Sequence, residues 1–545
     1  LVARLEDGSR RVMSYAQLYE EVAQLAAALR RAGVANGDRV AGFIPNVPEA
    51  VVAMLACSSI GAIWSSCSPD FGINGVIDRF GQIEPKVLFA CDGYYYNGKT
   101  FDSSQRLSEI CRQIPSIQQR IIVRIINTDK DIPDSQKYED FLLTENTPPL
   151  EFEQLPFDHP LYIVYSSGTT GVPKCIVHGA GGTLLQQLKE HRLHVDLRSD
   201  DVLFYFTTCG WMMWNWLVAG LGSEATLILY DGAPFFPNSS AMMDMIDAEQ
   251  ISVFGTSAKY IDGLQKSGAT PRKSHKLDHL RLILSTGSPL SHESFRYVYR
   301  HIKTEVCLSS ISGGTDIISC FVLGNPAMPV WEGQIQCRGL GMAVEIWDAT
   351  GQSVLEEKGE LVCVRPFPST PIGFWNDSAG RKYHDAYFAK YPNVWAHGDY
   401  AEITAQGGVI IHGRSDAVLN PGGVRIGTAE IYRQVAKLDS VLESLCISQD
   451  WEGDVRILLF VVLRDAVELN DELVSSIREV IRRDTTPRHV PAKIIAVTDI
   501  PRTLSGKISE LAVRDTVHGR AVTNHDALAN PEALAQFKEL PALKF

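Results

Sequence analysis

The sequence lacks several features that would indicate particular classes of protein. Its 51 Lys and Arg residues are outnumbered by 64 Asp and Glu residues, and the net charge is −13. With no long basic run either, this balance argues against a nucleic-acid partner. The most apolar stretch, 51–63, is interrupted by Ser and Gly and is too short to cross a bilayer. With no recognisable signal peptide, these absences favour a soluble globular protein.

Paired cysteine motifs are also missing. The eleven cysteines are scattered, and none forms a Cys-x-x-Cys pair, so neither a zinc site nor a disulfide framework is indicated. Reduced cysteines are typical of a reducing compartment, and we expect the cytosol. The chain begins at Leu1 rather than at a methionine, which indicates a fragment or a processed form. Its 545 residues predict at least two domains.

Helical and strand patterns alternate along the first part of the chain. Ser14 is a good N-cap for a helix whose apolar residues repeat at helical spacing until Gly33. A strand over 38–44 and a helix over 49–62 follow. Such alternation predicts an α/β fold with helices covering a largely parallel sheet. Further strands are predicted at 86–90, 121–126, 225–230 and 280–285, whereas 92–160 is rich in polar residues and is predicted to be surface loops.

The composition changes over 398–423, where glycine, proline and charged residues crowd together as in a connection between domains. Beyond it, a strand over 456–463, a helix over 471–483 and a strand over 492–500 form an α+β pattern. The sequence therefore predicts a large α/β domain followed by a small C-terminal α+β domain.

A Gly- and Ser/Thr-rich loop follows the apolar run 161–164, which reads as a buried strand. Glycines let backbone N–H groups approach a ligand, and such donors together with one cation suit a polyphosphate. The spacing is not that of the Walker loop. The residues concerned are Ser166, Ser167, Gly168, Thr169, Thr170, Gly171 and Lys174.

This loop resembles the phosphate-binding signature of the adenylate-forming enzymes, the superfamily of acyl-CoA synthetases, luciferases and peptide-synthetase adenylation domains. Other motifs of that family follow in its order, which makes a chance match remote. They are Gly287-Ser288-Pro289, Ser312-Gly313-Gly314-Thr315-Asp316, Trp395-Ala396-His397-Gly398-Asp399-Tyr400, Gly413-Arg414-Ser415-Asp416, the run 420–427 and Pro501-Arg502-Thr503-Leu504-Ser505-Gly506-Lys507. The resemblance implies a large adenylation domain, 1–415, incomplete at its N-terminus, and a small mobile C-terminal lid domain, 416–545.

The resemblance also implies roles at the nucleotide. Gly287, Ser288 and Pro289 would line the adenine pocket, and Asp399, Arg414 and Arg425 would contact the ribose and phosphates. Thr315 would bind the α-phosphate. Asp316 stands where the family usually has Glu, near Mg²⁺.

The small domain would supply the moving parts. By the same resemblance, Lys507 would lie between the acid's carboxylate and the α-phosphate, where it neutralises charge in the transition state. Asp416 would be the hinge, and Gly423 would let the thiol of CoA pass close to the backbone.

The segment 207–216 bears on which acid is the substrate, because it contains three Trp and two Met residues and no acidic residue. An amino-acid substrate is therefore disfavoured. Trp211 is expected to line the acyl pocket. Gly313 stands where acetate-activating relatives have Trp, which leaves room for a longer acid. The stretches 165–178, 206–215 and 314–317 resemble the members of the family that activate acetoacetate.

Taken together, the resemblance implies that ATP, Mg²⁺ and CoA are used to convert acetoacetate to its thioester through an acyl-adenylate. Butyrate, propionate or acetate remain alternative acids, and a carrier protein remains an alternative acceptor. A catalytically silent nucleotide-binding relative is the alternative from another class.

Overall fold

We describe a computed structural model of the chain, in which residues 1–128, 130, 132–166, 172–415, 417–419, 421, 426–451, 454–503, 506–522, 525 and 528–543 are described. The helices are α1 Tyr15–Arg31, α2 Pro48–Ser59, α3 Ile73–Ile83, α4 Ser104–Gln113, α5 Tyr138–Phe141, α6 Ala180–Lys189, α7 Met213–Ala219, α8 Ala241–Ala248, α9 Ala258–Lys266, α10 Pro271–Ser274, α11 His292–Tyr297, α12 Arg381–Tyr387, α13 Thr428–Val435, α14 Asp471–Asp484 and α15 Glu510–Val517.

The strands, numbered in chain order, are β1 Val2–Leu5, β2 Arg10–Val12, β3 Arg39–Phe43, β4 Ile63–Cys67, β5 Val87–Cys91, β6 Gly93–Tyr96, β7 Lys99–Asp102, β8 Gln119–Val123, β9 Gln136–Lys137, β10 Pro160–Ser166, β11 Lys174–Gly179, β12 Val202–Tyr205, β13 Thr226–Asp231, β14 Val253–Ser257, β15 Leu282–Thr286, β16 Cys307–Ser310, β17 Ser312–Gly314, β18 Ser319–Leu323, β19 Cys337–Arg338, β20 Val344–Trp347, β21 Gly359–Cys363, β22 Gly373–Phe374, β23 Trp395–Ile403, β24 Val409–Arg414, β25 Val441–Trp451, β26 Asp454–Leu463 and β27 Lys493–Ala496.

Two large, mostly parallel sheets form the body of the protein. The first has the strand order β16-β15-β14-β12-β13-β1-β2, and only the β1–β2 pair is antiparallel. The second has the order β22-β11-β10-β4-β3-β5-β8-β9, and it is parallel from β10 to β9. Parallel sheets must be covered on both faces, which the helices accomplish. The predicted α/β class is confirmed.

The largest core lies between these two sheets and includes α1, α2 and α7. α1 begins as predicted, because Ser14 and Gln17 form a capping box. Its buried face carries Leu18, Val22 and Leu29, which are spaced to lie on one side of the helix. Burial of this face stabilises the packing of the two sheets. The ends of their strands carry the residues of the candidate site.

Antiparallel sheets, which the sequence pattern did not predict, complete the large domain. One has the order β17-β18-β19 and another β20-β21-β23-β24. The small domain has the sheet β25-β26-β27, with separate apolar clusters that include α13 and α14 on one hand and α15 on the other. This arrangement agrees with the predicted large domain and small α+β domain, although the exact boundary at 415/416 stays a prediction.

Three local predictions need correction. The helix predicted over 49–62 ends at Ser59, because Gly61 has φ +72° and turns the chain into β4. The strand predicted over 492–500 covers only Lys493–Ala496. The polar region 92–160 contains α4, whose buried residues include Leu107 and Ile110. β8, in the same region, overlaps the strand predicted over 121–126 and extends the second sheet. Among the described residues, no helix is long and apolar enough to span a membrane.

Candidate active site

The phosphate-binding loop joins two paired strands. β10 ends at Ser166 and β11 begins at Lys174, and these two residues are antiparallel partners. The hydroxyl oxygen of Ser166 is buried and has no hydrogen-bond partner among the described residues. The predicted loop members Ser167, Gly168, Thr169, Thr170 and Gly171 lie outside the described residues. The described ends of the loop thus present a hydroxyl and an ammonium group.

Lys174 reaches across to the other phosphate motif. Its ammonium nitrogen lies 3.1 Å from Oδ1 of Asp316, and the hydroxyl of Tyr387 donates to the same oxygen. Burial alone would raise the pKa of Asp316, but the charge of Lys174 and this hydrogen bond lower the pKa below its ordinary value. Asp316 is therefore ionised across the physiological pH range.

Thr315 is held from behind by a buried histidine. Nε2 of His178 lies 3.2 Å from the carbonyl oxygen of Thr315. Burial lowers the pKa of His178 to about 4, so that the ring is neutral near pH 7. The 3-10 turn Thr315–Ile317 is thereby fixed against β11, and Thr315 is placed beside Lys174 and its loop.

Gly313 does not have the role that the sequence indicated. A Cβ on this residue would lie 2.2 Å from the backbone oxygen of Ser319, because β17 packs closely against β18. Gly313 is also not among the residues that line the acyl cavity. The prediction that its missing side chain sets the depth of the pocket is corrected: the close approach of two strands requires the glycine.

The adenine motif lies beside the Thr315 motif. Gly287 follows β15 and has φ +93°, a conformation that favours glycine, and Ser288 and Pro289 continue the turn. The hydroxyl of Thr286 donates to the carbonyl of Ile311 at 2.9 Å. Because β15 and β16 are parallel neighbours, both motifs leave the same edge of the sheet, where ligands bind in α/β folds.

The predicted ribose-binding pair is formed between adjacent strands. Asp399 and Arg414 are partners in the β23–β24 ladder, and Nη1 of Arg414 donates to Oδ1 of Asp399 at 3.0 Å. Gly398 has φ +82°, and a Cβ there would lie 2.6 Å from Nη2 of Arg414. The glycine therefore allows the guanidinium group to lie against the backbone.

Sequence reasoning missed the side chains that fix this pair. Glu360 is 2% exposed and accepts hydrogen bonds from the Gly398 amide at 3.0 Å and the Ser415 hydroxyl at 2.7 Å. His397 is buried, and its Nε2 lies 3.4 Å from the Gly313 carbonyl. Tyr387 was also missed. His397 lies inside a recognised motif, whereas Glu360 and Tyr387 lie in segments without a motif.

A small cavity lies beside Thr315. Its lining includes Trp211, which is expected at the acyl pocket and contacts Tyr205 edge-on at 6.0 Å between ring centroids. That this cavity takes up the acid stays a prediction. None of its lining residues is acidic or basic. They are Trp64, Ser65, Ser66, Ile163, Val164, Tyr165, Cys209, Gly210, Trp211, Met212, Asn215 and Thr315. The lining is uncharged, and the open volume is about 10 Å³, close to the space of one water molecule, so that an acid chain would enter only as lining side chains move apart.

Lys507 enters the same cleft from the small domain. Desolvation by the surrounding cleft, followed by the charge of Arg414, lowers the pKa of Lys507, whereas Asp399 and Asp316 act in the opposite direction. The side chain nevertheless remains accessible to solvent. The backbone of the preceding turn is closed by a hydrogen bond from the Thr503 amide to the Lys507 carbonyl at 2.8 Å. The charge of Lys507 thus interacts with residues that are predicted to bind the nucleotide.

Contacts between the domains support this position. Lys266, at the end of α9, donates to the carbonyl of Leu442, and Lys358 pairs with Glu430 of α13. The predicted hinge, CoA and nucleotide residues Asp416, Gly423 and Arg425 lie outside the described residues. In the described part of the cleft, Lys174, Asp316, Asp399 and Arg414 of the large domain lie opposite Lys507 of the small domain.

Comparison with known proteins shows the family of this chain. The family model "AMP-binding enzyme" matches residues 2–369. The chain belongs to the family of AMP-binding enzymes.

Individual relatives are similar over nearly the whole chain. Acetoacetyl-coenzyme A synthetase of Rhizobium meliloti (strain 1021) is 58% identical over 100% of this chain and 84% of that protein. Acetoacetyl-CoA synthetase of Xenopus tropicalis is 48% identical over 98% of this chain and 81% of that protein. The solved acetoacetyl-CoA synthetase from Streptomyces lividans has a TM-score of 0.93 and 41% identity, over 99% of this chain and 83% of that chain.

Proposed function

We propose that this protein is an acid–thiol ligase that joins acetoacetate to CoA and cleaves ATP to AMP and pyrophosphate. Three similar proteins carry the name of that activity. The observation that carries the proposal is that the charges of Asp316 and Asp399 on the large domain act on Lys507 of the small domain. A cation supplied by a separate domain can take part in activation of the acid and then be withdrawn, so that the acceptor reaches the activated acid.

In the first half-reaction, a carboxylate oxygen of acetoacetate attacks the α-phosphorus of ATP, and pyrophosphate leaves. Lys507 stabilises the charge that develops at this centre, and Thr315 donates to the α-phosphate. Ser166, Lys174 and the loop between them hold the leaving pyrophosphate. Asp399 accepts the ribose hydroxyls. The product is acetoacetyl-AMP.

The nucleotide base has its own part of the cleft. Gly287, Ser288 and Pro289 line the adenine pocket, next to the Thr315 turn. Arg414 binds the ribose or phosphates through its planar fork, and Arg425 contacts the nucleotide in one orientation of the small domain.

In the second half-reaction, the small domain rotates about Asp416 and withdraws Lys507. The thiol of CoA loses its proton, and its sulfur attacks the acyl carbon and expels AMP. Gly423 keeps the path of the thiol open. None of the eleven cysteines acts as a nucleophile, since nine are buried and burial raises the pKa of thiols such as Cys209.

Mg²⁺ would be held by Asp316 and the phosphates of ATP. Both described contacts of this carboxylate use Oδ1, so that Oδ2 is the oxygen that would face the ion. No cluster of three metal-binding side chains occurs among the described residues, which suits an ion that binds through few carboxylates and substrate phosphates. The ion neutralises phosphate charge when bound. We also propose the cytosol as the compartment, because free thiols persist in reducing surroundings.

The test is CoA-dependent release of AMP with Mg·ATP and a panel of acids: acetoacetate, acetate, propionate, butyrate and 3-hydroxybutyrate. We expect the highest kcat/KM with acetoacetate. A higher value with acetate or butyrate would retain the chemistry and reject the acid. ATP binding without AMP release from any acid would reject the ligase function and favour a nucleotide-binding protein.

A further inference from the structure

One polar group in the acyl pocket lacks a partner. Trp64, which lines the cavity, is 1% exposed. Its indole N–H makes no hydrogen bond to any described residue. An indole nitrogen can only donate, so it must find an acceptor or remain unsatisfied. A buried donor without a partner is unfavourable and is uncommon in folded proteins.

The other large buried indoles of this core do have partners. Trp214, whose ring centroid lies 6.4 Å from that of Trp64, donates to Oδ1 of Asn46 at 3.0 Å. Trp216 donates to Glu190 at 2.9 Å. The missing partner is therefore a property of Trp64, the one of these three that lines the cavity.

The strand places this side chain on the face that the acid would use. Trp64 and Ser66 are two residues apart on β4 and therefore point to the same face of the sheet. Ser66 contacts the Cys209 segment, which also lines the cavity. Thr315, assigned to the α-phosphate, lies at the same cavity. An acid whose carboxylate is at Thr315 thus extends into a space that Trp64 borders.

Three other polar side chains of the cavity are already engaged. The hydroxyl of Ser66 donates to the Cys209 carbonyl at 2.7 Å. The hydroxyl of Ser65 lies 2.8 Å from both the Ile163 carbonyl and the Tyr165 hydroxyl. Asn215 is hydrogen-bonded to the hydroxyl of Tyr162. Among the lining side chains, the Trp64 N–H is the fully buried polar group that has no partner in the described part of the chain.

We propose that Trp64 Nε1–H donates a hydrogen bond to the 3-oxo oxygen of the acid and selects a 3-oxo acid over a saturated acid of equal length. This inference rests on the proposed function. A saturated chain would leave the N–H unpaired, and a site built to bond a polar group rejects an analogue that lacks it. A 3-hydroxy acid offers an acceptor but brings its own O–H, which then needs a partner in an apolar pocket.

The test is Trp64→Phe, which removes the N–H and retains an aromatic ring. ATP–pyrophosphate exchange would be measured with acetoacetate and with butyrate. We expect the ratio of their kcat/KM values to fall by about 10- to 100-fold, the effect of one buried hydrogen bond, through loss on acetoacetate and not on butyrate. Because the ratio compares two acids on one preparation, the folded fraction cancels.

Trp214→Phe is the matched control. It makes the same change in the neighbouring indole, whose N–H is bonded to Asn46, and should leave the ratio unchanged. An unchanged ratio in Trp64→Phe, or an equal fall in both variants, would overturn the inference alone if the wild type prefers acetoacetate. A wild type without that preference would overturn both this inference and the proposed acid.

Discussion

Lys507 should separate the two half-reactions more clearly than any other side chain of the cleft. It lies on the small domain, and its pKa responds to Asp316, Asp399 and Arg414 on the large domain. We predict that Lys507→Ala blocks formation of the acyl-adenylate. The same variant should still convert supplied acyl-adenylate and CoA to the thioester, because withdrawal of the lysine precedes that step.

The size of the effect follows from the position of the ammonium group. Two unit charges about 4 Å apart interact by about 4 kcal/mol at an effective dielectric constant of about 20. The side chain still reaches solvent, so we take about 3 kcal/mol as the loss in the transition state. That corresponds to a fall of about 10²-fold in the rate of adenylation, similar to the loss of one preorganised donor in an oxyanion hole.

ATP–pyrophosphate exchange measures the first half-reaction, and single-turnover thioester formation from synthetic acetoacetyl-AMP measures the second. Lys266→Ala is the control, since Lys266 also joins the two domains by donating to Leu442 but lies outside the proposed site. We expect it to change both half-reactions by a similar small factor. Equal loss of both half-reactions in Lys507→Ala would refute the assigned role.

Three further predictions follow from the same cleft. Gly398→Ala should raise the KM for ATP about tenfold in exchange assays, because its φ is +82° and its Cβ would displace Arg414; an unchanged KM would contradict this reading. Tyr387→Phe removes the hydrogen bond to Asp316 and should slow adenylation about tenfold, with thermal stability as the control. Because the pKa of Lys507 is lowered, the side chain loses its proton at lower pH, and the exchange rate should fall in alkaline solution. Lys507→Arg should shift this fall to higher pH; an unshifted fall would mean that another group causes it.

The fold of the large domain could be predicted where local signals were strong. The Ser14 cap and the apolar repeat of α1 are local, and the structure confirms them. The buried runs of β3 and β5 were found for the same reason. The antiparallel sheets around β21 and β23 were missed, because their pairing joins segments far apart in sequence, and short strands such as β17 carry no pattern of their own.

The candidate site shows the same division. Motifs of consecutive residues, such as the one that ends at Asp316, were recognised from the sequence. The partners that set the charge and position of those residues were not. Tyr387 is 71 residues from Asp316, and Glu360 is 38 residues from Gly398. Nothing local distinguishes them from ordinary core residues, since only the packed structure brings these pairs together.

The acyl pocket shows why a positional argument about substrate size can fail. Gly313 was assigned to pocket depth because a bulky residue is expected there in acetate-activating relatives, yet a side chain at this glycine would collide with the backbone of Ser319. Substitution by Trp would therefore distort the β17–β18 pair and the attached Thr315 turn. Any change in the preference for acids would then come from displaced phosphate contacts of Thr315. A preference for an oxo acid instead requires a donor that a saturated acid cannot satisfy, and Trp64 provides one. The choice of acid then depends on hydrogen bonding at one buried nitrogen more than on the volume released at one position.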